Sequence, residues 1–344
     1  MTSIVLSAAG RGIRSIDRVV LAIIAVLLAL VLFIPAQALA SVEFASWSLL
    51  KIFPFIAASV LIAAGAKATG ADHQIASVFQ GSPLRVIVLA ALFGALSPFC
   101  SCGVVPIIAG LLGAGVPLAP VMAFWIASPL MSPEKFFVML GVFPQSLTFA
   151  LLIGAIAMGL LAGAVTHFLT TRGKMTQPLR PDGGFGGCGA SSATGDAPVV
   201  WRFWHEPERR AAFVATSTDT TLFLLKWLGL AFVIESLMIA YIPAETVGQW
   251  MGGDAWWAIP ASVLVGIPTY LNGFAAIPTV SALLDMGMQP AAALGFIVAG
   301  AVTSIPAAMA VFALVRRSVF VCYVAIGLTG SLAVSYGFAA FLAL

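Results

Sequence analysis

Long apolar runs, most of them near twenty residues, alternate with short polar or glycine- and proline-containing stretches along the whole chain. A run of about twenty apolar residues is long enough to cross the hydrocarbon layer of a bilayer as a helix. The pattern therefore predicts an all-α polytopic membrane protein. The predicted membrane segments are 18–36, 49–66, 84–112, 118–143, 147–169, 219–242, 256–284, 289–315 and 319–342.

Two of these segments, 84–112 and 256–284, are interrupted by glycine, proline and small polar residues. The first contains Ser97-Pro98-Phe99-Cys100-Ser101-Cys102-Gly103, and the second contains Pro268-Thr269-Tyr270-Leu271-Asn272-Gly273. Proline removes a backbone donor and clashes with the preceding turn, so each segment is predicted to form two half-helices around irregular backbone. Such backbone is tolerated at membrane depth only where protein or a polar cavity covers it.

The two interrupted segments belong to an internal repeat with an offset of 172 residues. The aligned pairs include Gly94 with Gly266, Pro106 with Pro278, Gly115 with Gly287, Phe124 with Phe296, and Ser132 with Ser304. The sequence thus predicts four parts. These are a basic N-terminus with the first transmembrane helix (1–40), repeat 1 (46–169), a cytoplasmic glycine-rich basic loop (170–218) and repeat 2 (219–344).

The distribution of Lys and Arg predicts the orientation, because these residues concentrate in cytoplasmic loops. If 84–112 and 256–284 are re-entrant hairpins, the basic N-terminus, the 170–218 loop and Arg316-Arg317 all lie on one side. The charge pattern favours this interpretation, although the sequence alone leaves a single crossing open. It predicts a membrane protein with a cytoplasmic N-terminus, whose first apolar run is retained as an anchor rather than cleaved as a signal peptide. The two repeats are then inverted, as in secondary transporters.

Composition excludes several classes of protein. Apolar residues make up 61% of the chain and charged residues only 8%, whereas soluble domains carry about 25% charged residues. A net charge of +3 and the lack of a basic cluster interleaved with aromatic residues argue against a nucleic-acid partner. No phosphate-binding loop, dinucleotide fingerprint, zinc-protease motif or nucleophile elbow is present. We therefore expect a non-enzymatic protein without a cofactor. Any active transport would be driven by an ion gradient or by a partner protein.

Cys100 and Cys102 are the strongest chemical feature of the sequence. Alternate side chains on extended backbone face the same way, so a Cys-x-Cys at a helix break presents two sulfurs to one ligand. Thiolates prefer soft species such as Cu(I), Zn(II) or trivalent arsenic. The predicted substrate site contains both cysteines, which are also the candidate metal ligands, together with Ser97, Ser101, Tyr270 and Asn272. The alternative is that the cysteines are small buried core residues.

Two acidic residues are candidates for proton coupling. Glu235 stands alone among apolar neighbours in 219–242, and Glu134 follows a second break at Ser128-Pro129-Leu130-Met131-Ser132-Pro133. Ionisable residues inside a membrane segment are functional hypotheses by default. The alternatives are an interfacial ion pair of Glu134 with Lys135 and a protonated Glu235 hydrogen-bonded to a neighbouring helix. A role for Cys188, in the glycine-rich loop, stays open.

At Ser97 to Pro106 the chain resembles the bacterial predicted-permease family. That family includes YraQ-like uncharacterised proteins and ArsP-type organoarsenical efflux permeases. In the ArsP-type members the resemblance implies export of trivalent methylated arsenicals across the inner membrane, with cysteine thiols involved in recognition. A monomethyl trivalent arsenical has two exchangeable positions, which Cys100 and Cys102 would fill.

We therefore expect an inner-membrane permease that exports a thiophilic solute, either a trivalent organoarsenical or a soft metal species. The alternative is a membrane thiol–disulfide oxidoreductase that cycles the Cys100 and Cys102 pair. The expected partners are the solute and the lipid bilayer. The sequence leaves open the identity of the substrate, the coupling ion, the direction of transport and whether the protein forms a homo-oligomer.

Overall fold

The computed structural model describes residues 18–71, 81–97, 101, 103–175, 177–180, 200–241, 257–267 and 276–344. Within these residues the regular structure is helical, apart from an isolated bridge between Leu179 and Val315. The predicted all-α class is therefore confirmed. The helices are α1 (Arg18–Phe33), α2 (Pro35–Thr69), α3 (Pro83–Leu96), α4 (Val104–Gly113), α5 (Leu118–Ala127), α6 (Pro133–Val142), α7 (Gln145–Thr171), α8 (Pro207–Tyr241), α9 (Ala258–Gly266), α10 (Ala276–Asp285), α11 (Pro290–Thr303), α12 (Ile305–Leu314) and α13 (Arg317–Leu342).

Five helical stretches in the described part of the chain are long and apolar enough to cross a membrane. They are α2, α7, α8, α13 and the consecutive pair α11 and α12. At 1.5 Å per residue, a helix of 26 residues such as α13 extends about 39 Å, more than the bilayer core of about 30 Å. The protein is a multi-pass membrane protein, as the apolar pattern predicts.

Two helices begin earlier than the hydropathy indicates. Helix α2 starts at Pro35 rather than near 49, and α8 starts at Pro207 rather than near 219. The added turns contain charged residues, which lower the hydropathy of a segment but do not break a helix. On α2, for example, Glu43 is exposed on the helix surface. Hydropathy marks the most apolar part of each helix and not its ends.

Helices α2 to α7 and α8 to α13 follow one another in the same order, with breaks at equivalent places. A Cβ added to Gly94 would lie 2.8 Å from the carbonyl oxygen of Phe124, and one added to Gly266 would lie 2.6 Å from that of Phe296. Real side chains do not fit such distances, so glycine is required where α3 crosses α5 and where α9 crosses α11. The offset of 172 residues therefore relates three-dimensional contacts as well as sequence.

The contacts of α3 show the direction of the chain in repeat 1. Ile87, early in α3, shares a packed cluster with Ala119 of α5, and Gly94, late in α3, lies against Phe124 and Ala127 of α5. Helices α3 and α5 therefore run parallel. Because the chain connects them through α4 and a short turn, α4 must return to the end of the molecule where α3 begins. Helices α3 and α4 form a hairpin, not a continuous rod.

Repeat 2 has the same arrangement. Val263 of α9 lies near Gly295 of α11, and Gly266 lies against Phe296 and Gly300 further along α11, so α9 and α11 run parallel. Helix α10, which connects α9 to α11 in the chain, therefore runs back toward the end of the molecule where α9 begins. The turns after α4 and α10 also match, because Gly115 and Gly287 both adopt a left-handed conformation with φ of +86° and +93°. Glycine is the residue that adopts this conformation without steric strain.

The first helices of the two repeats, α2 and α8, pack against each other along their length. Near the start of α2, Ser41 accepts a 2.8 Å hydrogen bond from Ser236, near the end of α8. At the other end of the pair, Arg209 near the start of α8 donates to the carbonyl of Ala68 near the end of α2, at 2.9 Å. These two equivalent helices therefore run antiparallel.

The last helices of the repeats, α7 and α13, are also antiparallel. Gly154 early in α7 lies against Val334 late in α13, whereas Met158 lies against Gly330, four residues earlier in α13. Helix α5 packs against α7, and α11 packs against α13. Helices α5 and α11 are almost entirely buried. Every residue of α11 from Ala291 to Thr303 is buried.

Basic residues collect at one end of the molecule. At that end Arg209 holds the end of α2, and Arg180, after α7, donates from Nε to the carbonyl of Val315 between α12 and α13, at 2.9 Å. The guanidinium of Arg180 also lies 4.2 Å from the centre of the Phe312 ring. The described basic residues near this end are Lys67, Arg85, Arg172, Lys174, Arg180, Arg202, Arg209, Arg210, Arg316 and Arg317.

Candidate functional site

The candidate site lies at the break between α3 and α4. Helix α3 ends at Leu96, and α4 begins at Val104. Ser97 follows the end of α3, and its hydroxyl donates to the carbonyl of Gly94 at 2.8 Å. Ser97 is 8% exposed and Ser101 is 5% exposed. These two described residues of the break are therefore enclosed by protein, the environment in which irregular backbone is tolerated inside a membrane.

The second break of repeat 1, between α5 and α6, meets the first. The hydroxyl oxygens of Ser97 and Ser128 are 2.8 Å apart and buried. Because Ser97 donates its one hydroxyl proton to Gly94, Ser128 is the donor of this bond. The hydrogen bond joins the ends of two parallel helices, α3 and α5. It makes one polar junction out of two interruptions that are far apart in sequence.

Lys135, in the first turns of α6, contacts the backbone of the same break as Ser128. It is 5% exposed, and its Nζ donates to the carbonyl oxygen of Leu130 at 2.9 Å. The last carbonyls of a helix lack partners within the helix, and Leu130 follows the end of α5. The ammonium group satisfies this carbonyl and places a positive charge where the negative end of the α5 dipole is located.

At the equivalent break in repeat 2, between α11 and α12, a different donor satisfies the equivalent backbone carbonyl. Val302 is the equivalent of Leu130, and its carbonyl accepts a hydrogen bond from the hydroxyl of Tyr323 on α13. The ring of Tyr323 lies 5.5 Å from that of Trp125 of repeat 1. A lysine in one repeat and a tyrosine in the other therefore do the same structural job.

In both repeats a serine caps the helix that follows the break. The hydroxyl of Ser132 accepts from the backbone N–H of Lys135 at 3.4 Å, and that of Ser304 accepts from the backbone N–H of Ala307 at 3.3 Å. A serine before the first turn of a helix satisfies one of the backbone donors that the helix leaves unpaired. The two breaks thus have the same serine cap but differ in the side chain that donates to the free backbone carbonyl.

Several predicted site residues lie outside the described part of the chain. They are Cys100, Cys102, Tyr270 and Asn272, and Cys188 of the loop is also outside it. Of the predicted set, Ser97 and Ser101 are described, and both are buried at the break. Among the described residues, no group of three or more His, Cys, Asp and Glu side chains is placed to hold a metal ion.

The two candidate proton carriers occupy different environments. Glu134 is exposed in the first turn of α6, where an acidic side chain interacts favourably with the helix dipole. Its neighbour Lys135 is buried and donates to Leu130, so the alternative of an ion pair between Glu134 and Lys135 does not describe this site. Adjacent residues on a helix point about 100° apart, which separates their environments.

Glu235 is buried in α8, with 6% of its surface exposed. Its Oε2 atom has no hydrogen-bond partner among the described residues. The next residue, Ser236, bonds to Ser41 of α2, which also accepts a 3.3 Å hydrogen bond from Gln37. Glu235 thus lies beside a polar contact between the first helices of the two repeats, with one oxygen available for a proton.

A separate apolar cavity of about 370 Å³ lies between α7 and α13. Its lining includes Leu161 and Val165 on α7, and Cys322 and Thr329 on α13. Cys322 is a buried thiol without a disulfide. Because this cavity belongs to the outer helix pair and not to the breaks, it is not part of the candidate site.

Two polar groups at the breaks are not identified by the sequence pattern. The sequence indicates Lys135 only as a partner of Glu134, and it gives no reason to single out Tyr323. The position of Lys135, five residues after the carbonyl that it satisfies, is a local signal that could identify it. Tyr323 lies 21 residues from Val302, so only the packing of α13 against α11 reveals its role.

The fold and the site define a class of protein. Membrane-spanning helices in two matching sets, with breaks lined by buried polar groups, are features of a membrane permease. The chain belongs to a family of predicted permeases, the ArsP_1 family, whose model matches residues 36–339.

A bacterial relative shares part of this region. The UPF0718 protein YcgR of Bacillus subtilis (strain 168) is 29% identical over 136 residues, which is 39% of this chain and 45% of that protein. The match thus spans less than half of the relative's length. No solved structure matches the chain.

Proposed function

We propose that this permease exports a thiophilic solute, a trivalent organoarsenical or a soft metal species, bound by Cys100 and Cys102. The observation that carries the proposal is the buried 2.8 Å hydrogen bond between Ser97 and Ser128. It anchors the start of the segment that contains both cysteines to the second break of the same repeat. Ser101, between the cysteines, is buried, which supports a site enclosed by protein.

The chemistry of two thiols suits a solute that must be released again. Two sulfurs do not complete the four-ligand set of a structural zinc site, but they match the two exchangeable positions of a monoalkyl trivalent arsenical. In that exchange two As–OH and two S–H bonds break, two As–S bonds form, and two water molecules leave. Tyr270 and Asn272 of repeat 2, with Ser97 and Ser101, complete the proposed site.

We also propose that the two repeats are inverted across the inner membrane and alternate access by rocking against each other. The antiparallel directions of α2 with α8 and of α7 with α13 support this arrangement. The basic end of the molecule supports a cytoplasmic location for the 170–218 loop and for the N-terminus, because Lys and Arg favour that side.

Proton coupling is the proposed energy source. Glu235 is the stronger of the two carriers, because it is buried and its Oε2 atom has no partner among the described residues. Glu134 is the weaker candidate, because it is exposed at the start of α6 and could exchange protons with the surroundings without passing them through the protein.

The test is a toxicity screen in a strain that lacks the gene, complemented with the wild type or with Cys100→Ser and Cys102→Ser. Methylarsonous acid and Ag⁺ are the first probes. We expect the wild type to restore resistance and both variants to lose it. Cys322→Ser is the matched control, since Cys322 lies in α13 outside the breaks, and it should retain full resistance. Equal complementation by all variants would remove the thiol site.

Alkylation trapping separates transport from the oxidoreductase alternative. A permease keeps Cys100 and Cys102 reduced during export, so both thiols should react with maleimide in active cells. Regular accumulation of a disulfide between them during turnover would favour the oxidoreductase instead.

A further inference from the structure

The same backbone carbonyl is satisfied by a charged donor in one repeat and by a neutral donor in the other. Leu130 and Val302 are equivalent positions at the breaks that follow α5 and α11. Nζ of Lys135 donates to the carbonyl of Leu130 at 2.9 Å, and the hydroxyl of Tyr323 donates to that of Val302. Since a hydroxyl meets the need of the carbonyl, the positive charge of Lys135 is more than the break requires.

A buried charge is unfavourable unless an opposite charge or several hydrogen bonds compensate for its lost hydration. The ammonium of Lys135 has three N–H groups, and the carbonyl of Leu130 accepts from one of them. No carboxylate of the described residues forms an ion pair with Lys135, since the ion pair among those residues joins Arg209 to Glu206. The site is therefore electropositive and suited to an anionic group.

The break that contains Leu130 is also joined to α3 by a pair of hydroxyl groups. Ser128, two residues before Leu130, is hydrogen-bonded to Ser97. In repeat 2 the equivalent of Ser128 is Gly300, where an added Cβ would lie 2.8 Å from the carbonyl oxygen of Gly266. Backbone therefore packs directly on backbone there, with no space for a side chain. The position of Ser128 therefore differs between the repeats, and Lys135 belongs to the repeat that carries the two cysteines.

We infer that Lys135, at the break that Ser128 joins to Ser97, binds an anionic substituent of the transported solute. The inference rests on the proposed function, in which the thiols hold the soft atom. A trivalent organoarsenical bound by two thiols is neutral, because each S–H proton leaves with a hydroxide as water. The thiol exchange supplies no negative charge for Lys135, so the balancing charge comes from a carboxylate or sulfonate elsewhere on the solute.

Three probes of the same shape test the inference: phenylarsonous acid and its para-carboxylate and para-trimethylammonium derivatives. Initial rates of uptake into inside-out vesicles give KM for each. We expect the wild type to prefer the carboxylate, then the neutral probe, then the cation. Lys135→Met should raise KM for the carboxylate about 10- to 100-fold, the range of a charge-assisted hydrogen bond. The ratio of KM for the carboxylate to KM for the neutral probe is the readout, because loss of the donor to Leu130 affects both probes alike. Lys135→Arg should keep the preference for the carboxylate.

Tyr323→Phe is the matched control, because it removes the donor to the equivalent carbonyl without removing a charge. It should affect the three probes by the same factor. A wild type that does not prefer the carboxylate would overturn the inference, and this measurement needs no variant to fold. The inference also fails if Lys135→Met slows all three probes equally, as Tyr323→Phe does.

A second measurement separates this inference from the proposed function. The melting temperature of the purified protein is recorded in benzenesulfonate and in the neutral benzenesulfonamide, neither of which reacts with thiols. The sulfonate should stabilise the wild type and Lys135→Arg but not Lys135→Met. Stabilisation without transport of any arsenical would overturn the proposed function alone. Transport that depends on Cys100 and Cys102, without stabilisation by the sulfonate, would overturn the anion site alone.

Discussion

Replacing Gly94 by alanine tests the close approach that positions the first break. The added Cβ would lie 2.8 Å from the carbonyl oxygen of Phe124 and 2.9 Å from the Cβ of Ala127. Both contacts involve α5 close to its backbone, so neither can be relieved by rotating a flexible side chain. Helix α3 must move away from α5, and the hydrogen bond of Ser97 to Ser128 lies at the end of the helix that moves.

The expected magnitude follows from two opposing effects. Forcing one extra methyl group into a packed interior costs about 1–3 kcal/mol. Alanine in place of glycine inside a helix is favourable by about 0.5–1 kcal/mol. Gly65→Ala in α2 provides the matched control, since nothing lies within 4 Å of a Cβ at Gly65. Both variants gain the same helix propensity, so the difference in their free energies of unfolding, about 1–3 kcal/mol, reports the overpacking alone.

The assay is reversible unfolding of the purified protein in mixed micelles, with the wild type measured in parallel. Gly94→Ala should be less stable than the wild type and Gly65→Ala at least as stable. Gly266→Ala should behave like Gly94→Ala, because its Cβ would lie 2.6 Å from the carbonyl oxygen of Phe296. A Gly94→Ala protein as stable as Gly65→Ala would refute the close approach of α3 to α5.

Two further predictions concern polar groups at the breaks and between the repeats. A double-mutant cycle of Ser97→Ala and Ser128→Ala should give a coupling energy of about 0.6 kcal/mol and at most about 1.7 kcal/mol, the mean and the maximum for hydrogen bonds between membrane helices. Additive effects would show that the bond contributes nothing. Glu235→Gln should abolish the pH dependence of transport in vesicles, whereas Glu134→Gln should change it less, because Glu235 is the buried carboxylate. Full pH dependence in Glu235→Gln would remove it as a proton carrier.

The positions of the helix breaks are predictable because their causes are local. Proline and glycine act on the turn in which they lie, and α3 ends at Leu96, beside the Ser97-Pro98 step. The ends of α2 and α8 are less predictable, because charged residues change hydropathy without ending a helix. The segments around the cysteines lie outside the described residues, so the placement of both thiols stays a prediction.

The structural role of Lys135 cannot be read from its neighbours. In the sequence it stands beside Glu134, and an ion pair is the simplest interpretation. In the structure α6 is rotated so that Lys135 faces the junction and Glu134 is exposed. The rotation of a helix depends on the surfaces of its neighbours, which are contributed by distant parts of the chain.

The amino-acid sequence by itself determined that the protein is helical, spans a membrane, is interrupted at defined places and contains two related halves. These properties depend on composition, on the length of apolar runs and on local backbone chemistry. The charge pattern favoured a hairpin of α3 with α4 and inverted repeats but left a single crossing open, and contacts between the helices decided their directions. The tertiary structure alone decided that a lysine and a tyrosine satisfy equivalent carbonyls. Direction and side-chain partnership depend on contacts between residues far apart in the chain, and no local pattern specifies them.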